Sequence, residues 1–339
     1  MKIATIKDVA REASVSIATV SRVLNKTGNV NETLAIRVNN AVEALQYSPN
    51  NVARSLKTAS TKTIAFLVSN ISDPFFITIG RGIEDYIKEY NYTLMVCSID
   101  QSPEKEKEYL KLLREKQVDG IIINTTGLIN DTITDLSRQM PIVLSNRQIE
   151  NSSFLGDFVD NDNIGGIITL TKHLTALGHR KIGLINGPSY LSTAQERFKG
   201  FSIEMKRHGI DVDKDYPYLY EGFFTKEDGY RGTQKLLSMD NPPTAIIGMS
   251  SEGALGALRY CHTNGIRIPE DVSLVAFGNI ENQELLYVDL TIATTNLKGI
   301  GNKMGELLIE RIQLKGEAPN REVRFVTSLS EGNSTRIVG

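Results

Sequence analysis

The sequence predicts a small all-α head followed by a larger α/β body made of two similar halves. Short amphipathic helical patterns rich in small residues occupy the first 45 residues, and a segment with proline, asparagines and Ser/Thr residues over 48–63 reads as a junction. Beyond residue 62, apolar β-branched runs alternate with helical stretches, as in a parallel sheet covered by helices. Charge divides at the same place, because residues 1–60 carry a net +4 within a chain whose total is −2.

Seven apolar runs predict the strands of the body: TIAFLV, TLMVCS, GIIIN, IVLS, KIGLIN, TAIIGM and VSLVAF. Each run is continuous rather than alternating, which is typical of strands buried on both faces. Seven strands with their helices exceed one compact sheet, and the pattern changes near DFVDNDNIGG. We therefore expect two α/β halves within the 339 residues.

Several protein classes are disfavoured by the same sequence. No apolar run is long enough to span a membrane, and the start MKIATIKDVAREA lacks a secretory signal core, which predicts a cytoplasmic protein. Cys97 and Cys261 lie in apolar settings typical of buried thiols, and the histidines show no metal-ligand spacing. GIGNKMG and GMSSEG each miss a nucleotide-binding or nucleophile motif by one residue. The sequence thus predicts no enzyme, cofactor or metal site.

The head begins with a capping box in which Thr5 and Asp8 open a helix over about residues 6–13. Ser16 can cap a second helix over 17–24, and a third amphipathic helix follows over about 32–45. At 100° per residue, the apolar face of the second helix packs on the first, and the packing side chains are Val9, Ala10, Ala13, Val20, Val23 and Leu24. The opposite stripe is left free to enter a DNA major groove.

These segments carry a specific resemblance. The pattern D-V-A, V-S, A-T-V-S-R-V-L-N over residues 8–25 resembles the LacI/GalR family of bacterial transcription regulators. Further motifs in the same order agree with it: Tyr47, Pro49, Asn50, Ala53, Arg54 and Leu56, then P-F-F at 74–76, V-D-G at 118–120 and L-G-H-R-K-I-G at 177–183. The resemblance covers essentially the whole chain.

For the head, the resemblance implies a helix-turn-helix that binds double-stranded operator DNA. Ile17, Ala18 and Arg22 occupy the base-reading positions, where Arg22 could contact a guanine edge. The implied contacts to phosphates are Ser16, Thr19, Ser21, Asn25, Asn29 and Tyr47, and Thr5 is a further implied DNA-binding residue. A hinge helix over 50–57, with Asn50, Ala53, Arg54 and the wedge Leu56, would enter the minor groove. Ser14 stands where the family usually has glycine, which implies a slightly strained turn.

For the body, the resemblance implies a two-lobed fold of the type I periplasmic-binding-protein kind, with an effector in the cleft. The head would span 1–60 and the body 61–339, with an N-lobe over about 62–160 plus 292–322 and a C-lobe over about 161–291 plus 323–339. The implied effector-binding residues are Phe75, Phe76, Thr126, Asp160, Thr193, Arg197, Phe224 and Ser250.

Two departures from the family pattern bear on the effector. Gly278 follows the strand VSLVAF where an aspartate is usual, and Ser250-Ser251 replace Asn-Asp. With an acid lost and Arg197 kept, the cleft should favour anions, so we expect a sugar-related effector that is phosphorylated or acidic.

The sequence therefore predicts a homodimeric repressor, concerned with carbohydrate metabolism, whose two heads read a pseudo-palindromic operator. Two alternatives stay open at this stage. The regulator could be controlled by a co-regulator protein on the N-lobe, or the chain could be a sugar-binding protein without a DNA function.

Overall fold

The computed structural model describes residues 4–25, 27–47, 60–315 and 318–338. The chain divides into two compact units, residues 1–61 and 62–339. The hinge helix that the resemblance implies over 50–57 lies outside the described residues and stays a prediction.

The described residues of the first unit form a bundle of three helices, α1 (Ile6–Glu12), α2 (Ile17–Asn25) and α3 (Glu32–Ala44). Their bounds confirm the predicted helices to within one or two residues. The Thr5–Asp8 capping box is present, and the Ser16 hydroxyl accepts a hydrogen bond from the Thr19 amide at 3.1 Å. The apolar core comprises Val9, Ala10, Ala13, Val20, Val38 and Ala41, with Val23 and Leu24 packed against it.

Ser14 lies in the turn between α1 and α2 and has a φ of 50°, the positive value expected for this position. This left-handed conformation is uncommon for residues other than glycine. Arg37 of α3 donates from Nη2 to the carbonyl oxygens of Ala13 and Ser14. The turn is thus held from the third helix, since these two carbonyl groups gain a partner there.

The second unit contains two six-stranded sheets, and the spatial order is β11-β5-β4-β3-β1-β2 in one and β12-β10-β9-β8-β6-β7 in the other. The strands of the first sheet are β1 (Thr63–Val68), β2 (Thr93–Ser98), β3 (Gly120–Ile123), β4 (Ile142–Ser145), β5 (Asp157–Asn161) and β11 (Glu322–Phe325). The strands of the second are β6 (Ile182–Asn186), β7 (Leu219–Glu221), β8 (Ala245–Gly248), β9 (Ser273–Phe277), β10 (Thr291–Thr294) and β12 (Ser328–Ser330). Ten of these strands have parallel neighbours only, and β12 runs antiparallel to β10.

Helices cover both faces of each sheet, which gives an N-lobe around the first sheet and a C-lobe around the second. The N-lobe helices are α4 (Pro74–Ile87), α5 (Pro103–Glu115), α6 (Asn130–Ser137) and α11 (Leu297–Gln313). The C-lobe helices are α7 (Asn163–Ala176), α8 (Ser192–Arg207), α9 (Lys226–Leu237) and α10 (Ser251–Thr263). Cys97 and Cys261 are free and buried, as predicted.

The chain crosses between the lobes three times, between β5 and α7, between β10 and α11, and between β11 and β12. Two of these crossings differ by a few residues from the expected boundaries. The strand at 291–294 belongs to the C-lobe sheet, where it pairs with β9, although the N-lobe was expected to begin at 292. Residues 323–325 belong to the N-lobe, because β11 pairs with β5.

All seven predicted strands are present, and five further strands, β5, β7, β10, β11 and β12, are not among the predicted runs. The sequence indicated only a boundary at β5. Its sequence, DFVDN, is polar, yet all five residues are buried. Asp157 can be buried because Arg311 holds both carboxylate oxygens, from Nε at 2.7 Å and from Nη2 at 2.9 Å. A buried strand with acidic residues does not show the apolar pattern on which the prediction depended.

Two glycines of GIGNKMG, Gly301 and Gly305, serve helix packing against α4. Gly301 on α11 faces Gly82 on α4, and a Cβ added to Gly301 would lie 2.1 Å from the Ile79 carbonyl oxygen. Their backbones therefore approach more closely than side chains would permit.

His179 is fully buried in the C-lobe and lies between two oxygen partners. Its Nδ1 is 2.8 Å from the Thr244 hydroxyl, and its Nε2 is 3.1 Å from the Arg336 carbonyl oxygen. Burial lowers the pKa of His179 to about 4. The folded protein therefore holds this ring neutral.

We expect His179 to make stability depend on pH. In the unfolded chain His179 is protonated below about pH 6.5, whereas in the folded chain it is protonated only below about pH 4. The stability that depends on the neutral ring is therefore fully present above pH 6.5 and is lost as the pH falls toward 4. The free energy of unfolding should drop by about 2 kcal/mol more in the wild type than in His179→Gln between pH 7.5 and 5. Urea denaturation at pH 7.5 and at pH 5 measures the free energy of unfolding of both proteins. If the wild type and the variant differ by the same free energy at the two pH values, the prediction is wrong.

Candidate DNA-binding face and ligand cavity

The outward stripe of α2 is exposed as the helical spacing predicts. Ile17, Ala18 and Arg22 are exposed, and the side chain of Ile17 is 45% accessible although it is aliphatic. Val20, on the opposite side of the same helix, is completely buried in the head core. These three exposed residues are called the recognition face below. They place the apolar side chain of Ile17 and the cationic side chain of Arg22 on the solvent-exposed side of α2.

The other predicted DNA contacts have mixed positions. Thr5 and Ser16 cap helices, and the Thr19 hydroxyl lies 2.9 Å from that of Ser16. Ser21 is half-buried, Asn29 is exposed, and Tyr47 is half-buried against the head core. The side chain of Asn25 lies outside the described residues, as do Asn50, Ala53, Arg54 and Leu56. A hydroxyl at the start of a helix can still donate a hydrogen bond to a phosphate, because the backbone amides of the first turn also point out of that end of the helix.

A cavity of about 280 Å³ lies between the lobes, where the carboxyl ends of both parallel sheets meet. Its wall includes residues that follow β1, β2, β4 and β5 in the N-lobe and β7, β8, β9 and β10 in the C-lobe. The principal polar and aromatic members are Asn70, Asp73, Phe75, Phe76, Gln101, Asn146, Arg147, Asn161, Arg197, Phe224, Ser250, Glu252, Phe277 and Asn279.

Arg197 of α8 is a buried cation that neutral groups hold in place. Its Nε donates to Asn163 Oδ1 at 2.8 Å and its Nη1 to the Met249 carbonyl oxygen at 2.5 Å. The guanidinium carbon lies 4.5 Å from the ring centre of Phe277 and 5.2 Å from that of Phe224. Burial lowers the pKa of Arg197 to about 10, so the group is still charged at neutral pH.

Arg147 places a second buried cation on the N-lobe side. Its Nη1 donates to the Thr125 carbonyl oxygen at 2.7 Å, and its Nη2 lies 3.4 Å from Gln101 Oε1. Its Nε has no hydrogen-bond partner among the described residues. Burial again lowers the pKa to about 10. Neither this guanidinium nor that of Arg197 has a carboxylate of the described residues within ion-pair distance.

Aromatic rings supply the apolar part of the wall. Phe75 and Phe76 meet edge to face with ring centres 5.0 Å apart. Phe224 has a φ of 61°, and its ring packs over Gly187, where any side chain would collide with it. Backbone strain is concentrated at functional sites, so the unusual φ of Phe224 is consistent with a ring held in position at the cavity wall.

Two acidic residues of the cavity wall, Asp73 and Glu252, have partners of their own. Burial raises the pKa of Asp73 to about 6, and this side chain caps α4 through the Phe75 amide. Glu252 pairs with Lys226 at 3.4 Å. Gly278 has a φ of 116°, a conformation that side chains rarely adopt, so the usual aspartate would be strained on this backbone.

Five of the eight predicted effector residues line the cavity: Phe75, Phe76, Arg197, Phe224 and Ser250. The Ser250 hydroxyl caps α10 by accepting from the Gly253 amide at 3.0 Å. The structure does not place Thr126, Asp160 and Thr193 on the wall. Glu106 accepts from the amide and hydroxyl of Thr126, and Thr193 is buried in the first turn of α8.

Asp160 is occupied behind the wall. Its carboxylate accepts from Asn163 Nδ2 at 2.6 Å and from the Asn161 amide at 2.7 Å. Burial raises its pKa to about 7.

The sequence reasoning missed Asn146, Arg147, Asn161 and Phe277. All four lie at or directly after the carboxyl end of a parallel strand, which is the position where such sheets bind ligands. That position was the available signal. Asn146 Oδ1 and Asn161 Oδ1 are buried without a hydrogen-bond partner among the described residues, as is Arg147 Nε.

No helix in the described part of the chain has the length and apolar character that a membrane crossing needs. The described residues also contain no cluster of His, Cys, Asp and Glu side chains placed to hold a metal ion. A helix-turn-helix with a free recognition face, joined to a two-lobed body with a cavity, defines a DNA-binding regulator with a ligand-binding body.

Comparison with known families identifies which regulators these are. Residues 5–50 match the lacI family of bacterial regulatory proteins, and residues 61–329 match the periplasmic binding proteins and sugar-binding domain of the LacI family. The chain belongs to the LacI family, whose members are DNA-binding repressors with an effector-binding domain and not enzymes.

Similar proteins agree with this membership. The transcriptional repressor PurR of Vibrio cholerae is 37% identical over 314 residues, covering 92% of each chain. PurR of Aliivibrio salmonicida is 36% identical and covers 92% of this chain and 93% of its own. A crystal structure of the lac repressor dimer bound to operator and an anti-inducer has a TM-score of 0.85 and 25% identity, covering 99% of this chain and 100% of that one. A ribose-bound regulator from Enterococcus faecium has a TM-score of 0.72 and 29% identity, covering 82% of this chain and 100% of that one.

Proposed function

We propose that this repressor acts as a dimer whose operator affinity is set by a small ring-shaped ligand with hydrogen-bond acceptors, bound in the inter-lobe cavity. The observation that carries the proposal is the pair Arg147 and Arg197, two buried cations that neutral groups orient and that form no ion pair with a carboxylate of the described residues. A ligand acceptor or anion would supply the missing partner. Control by a co-regulator protein stays a prediction that no contact in the described residues favours.

A purine-related ligand fits the wall best. Phe75, Phe76 and Phe224 offer faces and edges for a flat ring. The unpaired oxygens of Asn146 and Asn161 accept hydrogen bonds, so the ligand should also carry N–H or O–H donors. A purine base combines flat faces, ring acceptors and N–H donors, and the relatives that share 36–37% identity are named PurR.

An acidic or phosphorylated sugar is the second candidate. The two arginines favour an anion, and the regulator from Enterococcus faecium is described with bound ribose. The cavity carries few free carboxylates to accept from sugar hydroxyls, because Asp73 caps a helix, Glu252 is paired and position 278 is glycine. A neutral sugar is therefore the poorest fit of the three.

Calorimetry can rank these ligands. We expect guanine, hypoxanthine, xanthine or adenine to bind more tightly than ribose 5-phosphate or gluconate, and neutral sugars to bind least. Arg147→Met and Arg197→Met should each weaken the best ligand about 10- to 100-fold, because each removes a charge-assisted hydrogen bond. Arg138→Met, at an exposed arginine away from the cavity, should change nothing. Tight binding of a neutral sugar alone would contradict the proposal.

The recognition face predicts how the head reads DNA. After an operator has been selected from random duplexes, Arg22→Ala should relax specificity at one base pair in each half-site, weakening the operator by about 1–3 kcal/mol per half-site. Arg11→Ala, at an exposed arginine on α1, should leave base preference unchanged. Gel shifts on operator and random DNA measure both variants. Equal losses on the two kinds of DNA would show that Arg22 contacts only phosphates.

An exposed apolar groove on the N-lobe supports the dimer. Ile71, Ile77 and Val96 are exposed beside one another, and Val96 lies on β2, the edge strand of its sheet. Two heads are needed to read two half-sites, and the operator-bound lac repressor is a dimer. A second copy of this chain is therefore the proposed occupant of the groove.

Ile77→Asp should shift the protein toward monomers, because a carboxylate would be buried in an apolar contact. Analytical ultracentrifugation at micromolar concentration measures the shift. Leu155→Asp changes a similarly exposed apolar residue of the same lobe outside the groove and is the control. If Ile77→Asp sediments like the wild type, this groove is not part of the dimer interface.

A further inference from the structure

A hydrogen-bonded network leads from the cavity to the crossing segments between the lobes. Asn163, the first residue of α7, accepts from Arg197 Nε at 2.8 Å through Oδ1. Its Nδ2 donates to Asp160 Oδ2 at 2.6 Å and to Glu196 Oε2 at 2.8 Å. The oxygen and the nitrogen of the Asn163 side-chain amide therefore both have partners. If the amide were flipped, its NH₂ group would face the N–H donors of Arg197, which is unfavourable.

Glu196 extends this network across the lobes to Arg324. Arg324 lies on β11 in the N-lobe, and Glu196 lies on α8 in the C-lobe. Two parallel hydrogen bonds join them, from Nη1 at 2.9 Å and from Nη2 at 2.7 Å. The side chains are only 26% and 20% exposed, and the guanidinium carbon lies 4.7 Å from the ring centre of Phe158. This forked, partly buried geometry is the stronger kind of ion pair.

Its position makes the pair sensitive to the separation of the lobes. Two other hydrogen bonds between the lobes, from Gln101 Nε2 to the Phe223 carbonyl oxygen and from the Gln148 amide to the Ser192 hydroxyl, join neutral groups. Arg324 also has a partner in its own lobe, because its Nε donates to Glu322 at 2.7 Å. Opening the cleft would break the pair with Glu196 and leave the one with Glu322 intact.

We propose that Asn163 is a positioning residue that ties the cavity's Arg197 to the Glu196–Arg324 ion pair, and that this pair sets how readily the lobes close. The network gives the cavity a direct connection to the crossing segments. The proposal does not depend on the identity of the ligand or on the purine assignment above.

Closure can be followed in the full-length protein without ligand. The chain has no tryptophan, so Tyr190→Trp would introduce a single quencher on the C-lobe. A bimane on Leu128→Cys would face it from the N-lobe, since the adjacent Gly127 packs against Tyr190 and Leu191. The native Cys97 and Cys261 are buried and should not label in the folded protein. Quenching then reports the closed fraction, and circular dichroism verifies that each variant is folded.

Arg324→Gln and Glu196→Gln should each lower the ratio of closed to open protein about fivefold, the size expected for a partly exposed ion pair. The matched control is Glu322→Gln, which removes the partner of Arg324 within its own lobe and should leave the ratio unchanged. Asn163→Asp keeps the acceptor for Arg197 but places a carboxylate against Glu196, so it should open the cleft too.

The combination of Asn163→Asp with Arg324→Gln should open the cleft no further than the larger single effect, because both changes act through Glu196. Additive effects would exclude Asn163 from the network. If Arg324→Gln leaves the quenching as in the wild type, or Glu322→Gln changes it equally, the ion pair does not control closure and the proposal is wrong.

Discussion

Two guanidinium groups are buried where the carboxyl ends of the body's parallel sheets meet, and the proposed ligand site depends on them. Arg147 and Arg197 are held by carbonyl and amide oxygens, which fix their direction but leave their charge. Burial lowers both pKa values to about 10 without discharging either group at neutral pH. The aromatic wall, the helix-capping Asp73 and the glycine at 278 are consistent with the proposal that these two cations bind a ligand.

A comparison inside the same molecule supports this interpretation. Arg311 is also buried, but Asp157 holds it through two hydrogen bonds, and Arg321 joins the same carboxylate. A buried arginine with a structural role in this chain thus has a carboxylate partner, since an unpaired buried charge is strongly unfavourable. Neither cavity arginine forms an ion pair within the described part of the chain, and this difference supports the ligand-binding role proposed for them.

The sequence predicted what local patterns determine, and missed what depends on distant pairing. Helical spacing located the recognition face and the buried Val20, and continuous apolar runs located seven strands. β5 was missed because Asp157 and Asp160 interrupt its apolar pattern. Asp157 is tolerated through Arg311 and Arg321, which are 154 and 164 residues away. Thr126 was assigned to the effector from the resemblance, yet the buried Glu106 occupies both its amide and its hydroxyl. Arg147 was missed although it follows a buried strand directly.

Neighbouring residues on α8 connect the two roles of the body. Arg197 reaches the cavity and Glu196 reaches Arg324 on the other lobe, and successive residues of a helix point about 100° apart. Because a helix moves as a rigid element, a shift that follows Arg197 onto a ligand also moves Glu196 relative to β11. Asn163 contacts both side chains, so neither can reorient without affecting the other. The proposed ligand contact at Arg197 and the lobe contact at Glu196 are therefore adjacent in the chain and joined through Asn163. This is a short physical path by which ligand binding could change the separation of the lobes.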